Sequence, residues 1–104
     1  YSLTLNLRSR TYLAFTNLGY TKRAKTNDIL GADWLTVKSH LESLFYGDMS
    51  WDNYGDWHVD HIYPIAIAES ESHLMGLCNY QNLQPLWAVD NLEKSDKLPE
   101  NWVE

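Results

Sequence analysis

A single cysteine, Cys78, rules out an intrachain disulfide in this chain of 104 residues. A domain this small has little core to spare, and small domains without disulfides commonly rely on a metal or on dense packing. Five Trp and seven Tyr supply bulky packing material, so one compact core is feasible and a second is not. No Cys-x-x-Cys pair occurs, and no structural zinc of the usual kind is expected. The lone thiol fits a reducing, intracellular setting, and Cys78 is expected to be a small buried hydrophobe rather than a nucleophile. No apolar run approaches the roughly 20 residues that span a bilayer, so no membrane association is expected. Tyr1-Ser2-Leu3 lacks both the pattern of a signal peptide and an initiator Met, so a processed product or a piece of something longer is expected, located in the cytoplasm.

The net charge of −6 argues, taken alone, against a nucleic-acid partner. Its distribution says something different. Residues 1–40 carry Arg8, Arg10, Lys22, Arg23, Lys25 and Lys38 against Asp28 and Asp33, a net +4, whereas residues 41–104 carry Lys94 and Lys97 against twelve acids, a net −10. This suggests a basic arm joined to an acidic, metal-attracting body; ordinary surface charge with chance asymmetry is the competing reading.

Hydrophobic spacing gives the order helix, helix, strand, long loop, strand, helix. Leu3, Leu5, Leu7, Tyr12, Leu13 and Phe15 point to a helix over 3–16, and 17–32 reads as a basic loop with a short turn at Ile29-Leu30. Asp33 is a good N-cap for a helix to about Phe45, with the stripe Trp34, Val37, Leu41, Leu44 and Phe45, and Gly47 as its end. His40 falls off that stripe and reads as a surface residue. The run Trp57 to Ile62 alternates and is β-prone, and Pro64 stops it; Asn82 to Trp87 is a second short strand whose Pro85 needs a ladder-free position. Residues 65–81 are a long connection with a helical turn near Ser72–Leu77, on which His73 is expected at the surface. Residues 88–97 form a final helix that Leu98-Pro99 stops. Trp51, Trp57, Trp87 and Trp102 read as core or rim aromatics.

The chemistry gathers between Trp57 and Lys97. Asp60 and His61 are adjacent at the end of a strand: a carboxylate binds a hard cation, and a neutral imidazole takes a proton from water. Asn91 follows Asn82 by nine positions, near the start of the last helix, so a hairpin packed on that helix brings Asp60 and Asn91 together. Two protein oxygens, with other positions left to water and phosphate, suit Mg²⁺ better than zinc.

Three separated pieces, Val59-Asp60-His61-Ile62-Tyr63-Pro64, Asn82-Leu83-Gln84-Pro85-Leu86 and Asp90-Asn91-Leu92-Glu93-Lys94, match in order and spacing the three parts of an HNH nuclease motif. The chain resembles HNH (ββα-metal) endonucleases, in the variant with Asn at the third motif position, and small HNH enzymes common in phage genomes. The resemblance covers residues 30–97 well and the N-terminal arm more loosely. It implies Asp60 and Asn91 as ligands of one Mg²⁺ or Mn²⁺ ion and His61 as general base. It makes Asn82 the middle Asn that holds the connecting loop and orients His61, and Lys94 a phosphate contact. His58, two residues before Asp60, would touch substrate or outer water, or simply pack.

The expected fold is α+β: a ββα-metal (His-Me finger) core over 48–104, preceded by a helical basic arm and support over 1–47, in a single domain. The expected reaction is hydrolysis of DNA phosphodiesters, leaving a 5′-phosphate and a 3′-hydroxyl. Arg8, Arg10, Lys22, Arg23 and Lys25 would grip backbone phosphates. A catalytically silent ββα DNA-binding module within a larger assembly is the alternative, against which the intact Asp60–His61–Asn91 set argues.

Overall fold

Trp57, Val59 and Leu83 alternate with more polar neighbours, and that alternation becomes the two strands β1 (Trp57–His61) and β2 (Leu83–Trp87). In the computed structural model, which describes residues 2–94, they form an antiparallel pair with Trp57 opposite Trp87, Asp60 opposite Gln84 and His61 opposite Leu83. The backbone bonds from Ile62 N–H to Asn82 and from Ala88 N–H to Asp56 continue this register at both ends. Antiparallel pairs alternate between bonded and non-bonded, so the bonded pairs fall at even positions and Val59–Pro85 is a non-bonded pair. The N–H that proline lacks is therefore not missed.

Five helices complete the α+β fold among the described residues: α1 (Ser2–Asn17), α2 (Thr26–Leu30), α3 (Trp34–Ser43), α4 (Glu71–Leu77) and α5 (Ala88–Lys94). The segment read as an arm is built into the core. Leu3 and Leu7 join Val37, Leu41, Trp57, Val59 and Leu83 in one apolar cluster, and Ala14 and Phe15 join Ile29, Leu74 and Cys78 in a second. The buried face of α1 thus runs Leu3, Leu7, Thr11, Ala14 and Phe15 at helical steps, while Leu5, Tyr12 and Leu13 face out. Thr11 lies on the buried face because its hydroxyl donates to the Leu7 carbonyl at 2.6 Å. Cys78 is buried, and burial pushes its thiol up to about 11, as expected of a packing residue.

Helix α3 starts where its cap predicts: Thr36 N–H donates to the Asp33 carboxylate at 2.8 Å, which holds that carboxyl below its ordinary value. It ends earlier than its stripe predicts, at Ser43, and Gly47 lies in the turn beyond. Leu44 and Phe45 bond back by three residues to Leu41 and Glu42, and the Ser43 hydroxyl takes the His40 carbonyl, so the last turn tightens and stops. Phe45 then turns onto Trp51 and Trp57, with ring centroids 5.4 and 5.1 Å apart. Trp57 is fully buried in this group, and its indole N–H bonds the Ser50 carbonyl and the Asn53 side chain at 2.8 and 3.0 Å. These contacts fix where β1 begins. Trp51 and Trp87 are half-buried at the rim of that cluster. Trp102, the expected continuation of the final helix over 95–97 and its expected stop at Leu98-Pro99 fall on residues outside those described.

The basic loop contains a true helical turn, α2, where a lone turn at Ile29-Leu30 was expected. It ends at Gly31, whose φ of 78° is left-handed, and a Cβ there would lie 2.8 Å from the Asn79 side chain. Asn79 in turn caps the tight turn Tyr80–Asn82 by accepting from Gln81 N–H at 2.9 Å. Gly31→Ala is expected to destabilise the protein by about 1–3 kcal/mol, combining the left-handed penalty with the Asn79 clash. Gly19→Ala meets nothing within 4 Å, so it should cost only the backbone part. Urea unfolding midpoints of the two variants measure the difference; equal losses would mean that the Asn79 contact carries no weight.

Candidate active site

Asp60 faces away from Trp57 and Val59 on β1 yet is only 5% exposed, so its carboxylate needs partners. Gln84, opposite it in register, donates its side-chain N–H to Asp60 Oδ2 at 2.8 Å. Lys94, on the helix packed over both strands, places its ammonium 3.3 Å from the same oxygen and donates to the His61 carbonyl at 2.9 Å. Arg10 reaches in from α1, and its guanidinium donates to the Val59 carbonyl. Burial lowers the Arg10 pKa from its ordinary value, and the attraction of Asp60 works against that shift.

His61 follows directly. Burial first, then the positive charges of Arg10 and Lys94, pull its imidazole down to about 4. The ring is therefore neutral at physiological pH and free to accept a proton. Asp60, His61, Asn91, Lys94 and Arg10 line one cavity of about 270 Å³, floored by Pro64 and Ile65. Asn91 and Lys94 are one helical turn apart, which puts both on the same face of α5. The expected meeting of Asp60 and Asn91 is thus present. Among the described residues no three His, Cys, Asp or Glu side chains converge into a metal-holding group. The cavity offers a carboxylate, a carboxamide and an imidazole, a donor set that fits a hard cation keeping most of its water.

Asn82 stands outside this cavity and acts on the chain beside it. Its Oδ1 accepts from Tyr63 N–H at 2.9 Å, and its Nδ2 donates to the carbonyls of Tyr63 and Leu77 at 3.0 and 2.7 Å. Its own carbonyl accepts from Ile62 N–H at 2.8 Å. The two residues after His61 are thus held by Asn82 at both edges.

Three expectations change. Arg10 is not a free phosphate grip; it stands three residues after Leu7 and four before Ala14, on the buried stripe of α1, and is spent on the site. Lys94 is engaged by Asp60 and His61 and does not reach out toward a phosphate. His58 is exposed and does not line the cavity, so it neither meets the site nor packs in the core. The remaining cations divide: Arg8, Lys22 and Lys25 line a shallow cavity of about 340 Å³ with Tyr12, Thr26 and Asn27, while Arg23 is exposed outside it. Arg8 and Arg10 are two positions apart, roughly 200° around a helix, so this basic patch and the site use different sides of α1.

His40 is also not the surface residue its position suggests. Its Nε2–H donates to the Leu83 carbonyl at 2.8 Å and its ring meets Tyr80 edge-on at 5.3 Å, tying α3 to the start of β2. His73 is exposed, as expected; its Nδ1 accepts from Glu69 N–H at 3.1 Å. Gln84 went unmarked because only the register shows it to face Asp60. Arg10 carried a signal, an arginine on an apolar stripe, that charge counting hid.

No protein-family model and no solved structure matches the chain. Among protein sequences it is 34% identical over 95 residues to Uncharacterized protein L426 of Acanthamoeba polyphaga mimivirus, covering 88% of this chain and 41% of that one. It is 29% identical over 100 residues to Uncharacterized protein L246 of the same virus, covering 93% and 43%. The chain thus spans about two fifths of the length of these relatives. No helix among the described residues is long and apolar enough to cross a membrane.

The His61 environment makes a pH prediction. A folded pKa depressed below the ordinary value of about 6.5 means that the unfolded chain binds the proton more readily, so stability falls as pH drops from about 6.5 through about 4. In a ring-nitrogen NMR titration His61 should stay neutral down to pH of roughly 5. Arg10→Met should raise its midpoint by removing a positive neighbour. A wild-type midpoint near 6.5 would show that the ring is not so enclosed.

Proposed function

We propose that this chain is a metal-dependent nuclease domain that hydrolyses DNA phosphodiesters, with β1, β2 and α5 as a ββα-metal core of the HNH type. The observation that carries the reading is that Asp60, a neutral His61 and Asn91 share one cavity between hairpin and helix. Asp60 and Asn91 would hold one Mg²⁺ or Mn²⁺ ion. Such an ion supplies Lewis-acid stabilisation of the charge that develops on the phosphate and on the leaving 3′ oxygen.

His61 takes the proton from the attacking water. In the free protein its depressed pKa makes it a weak base. An arriving phosphate brings negative charge that offsets part of the positive field of Arg10 and Lys94 and so favours the protonated imidazole. Arg10, beside Asp60 at the cavity wall, offers a fixed positive charge to the phosphate. Asn82 keeps the backbone after His61 in place. Arg8, Lys22 and Lys25, on the other side of α1, suit a backbone segment flanking the cleavage point rather than the point itself.

One observation favours a second reading, a catalytically silent ββα DNA-binding module of a larger assembly: both relatives extend well beyond the region matched. Plasmid nicking with and without Mg²⁺ separates the two. His61→Ala should slow Mg²⁺-dependent nicking roughly 10²–10⁴-fold while keeping metal binding, and Asp60→Ala should lose both. Wild-type protein that binds plasmid but never nicks it would leave the silent module standing.

The basic patch has its own expected outcome. Neutralising Arg8, Lys22 and Lys25 together should weaken duplex binding and flatten its salt dependence by about 0.9 logarithmic units of slope for each phosphate contact removed. An unchanged slope in fluorescence-anisotropy titrations across salt would show that the patch touches no DNA.

A further inference from the structure

We infer that Lys94 is the resident counter-cation of Asp60, so that a divalent ion enters this site by exchange with the Lys94 ammonium. The inference rests on the metal reading proposed above and specifies how that site is kept when no ion is bound. The ammonium lies 3.3 Å from Asp60 Oδ2, and both ends are sheltered, with the lysine side chain 18% exposed and the aspartate side chain 8%. It is not a loose surface pair, because the same ammonium donates to the His61 carbonyl at 2.9 Å and Oδ2 also accepts from Gln84 at 2.8 Å.

The charges require the exchange. Among the described residues Asp60 is the only acidic one lining the cavity, and Arg10 and Lys94 line it too. Its single negative charge is therefore already met before any ion arrives. A divalent ion bound by Asp60 and Asn91 would sit beside the Lys94 ammonium, since Asn91 precedes Lys94 by one turn on the same helix face. Like charges at that separation, sheltered from solvent, repel strongly. The flexible four-carbon stem of Lys94 can yield where the planar, half-buried Arg10 fork, fixed on the Val59 carbonyl, cannot. Lys94 thus holds the Asp60 carboxylate in place in the metal-free protein and lowers its affinity for the ion.

Isothermal titration of the full chain with Mn²⁺ tests this. Lys94→Met should bind Mn²⁺ roughly tenfold or more tighter than wild type, the size of effect that close charge pairs show. Lys94→Arg should stay near wild type, and Asp60→Asn should not bind at the site. A folded Lys94→Met protein with equal or weaker affinity overturns the inference. A second measurement needs no variant. The Lys94 ammonium NMR signal, slowed in exchange by its bonds to Asp60 and His61, should shift or vanish on saturation with Mg²⁺. A Lys94 signal unchanged at saturation overturns the exchange while leaving the metal site intact. Absence of any Asp60-dependent binding in wild type and Lys94→Met alike overturns the metal reading itself, and the exchange with it.

Discussion

A carboxylate buried in a small domain must be paired, and the burial of Asp60 organises the elements around it. One partner comes from the neighbouring strand, one from the helix above it, and the Arg10 guanidinium comes from the N-terminal helix, three residues after the buried Leu7. Removing any one of these elements would leave a charge enclosed with too few partners. This gives α1 a reason to be in the core. Its apolar stripe supplies the adhesion, and Arg10 supplies a charge that the hairpin alone could not.

The same arrangement explains why an acidic chain can present a site lined by more positive than negative charge. The net −6 is a sum over the whole sequence, whereas among the described residues the cavity holds one carboxylate with Arg10 and Lys94. Electrostatics in a partly enclosed cavity depend on what lines it, because interactions with distant exposed charges are screened within about 10 Å. Dividing the sequence into a basic and an acidic half therefore misplaces two of its cations. Arg10 belongs by position to the basic half and Lys94 to the acidic half, yet both work on Asp60.

Local rules made part of this structure legible. The cap at Asp33, the alternating run at Trp57, the proline that stops it and the short strand before Ala88 each follow from the chemistry of a few adjacent residues, and each lies close to where the spacing puts it. The pairing of Asp60 with Asn91 in one cavity was legible too, because hairpin and helix are contiguous in sequence. What was not legible depends on partners far along the chain. His40 finds the Leu83 carbonyl, 43 residues away, and Arg10 finds the Val59 carbonyl, 49 residues away. Phe45 leaves its helical stripe because Trp51 and Trp57 offer it edge-on contacts. Gln84 reads as a solvent-facing strand residue until the register sets it against Asp60.

His61 is held by two devices that differ in kind, and the difference sorts its neighbours into roles. Its carbonyl accepts from Lys94, so the strand end moves with α5. The peptides that follow are bound to Asn82 through Ile62 and Tyr63, so the long connection cannot pull the strand end away. The first device is ionic and can change with whatever charge enters the cavity; the second consists of neutral amide bonds outside it and is indifferent to that charge. A site that exchanged the cation of its carboxylate, as proposed above, would need both. Without the Asn82 clamp, freeing Lys94 would also free the backbone that aims the imidazole. With the clamp in place, the electrostatic partner of Asp60 can change while His61 keeps its position.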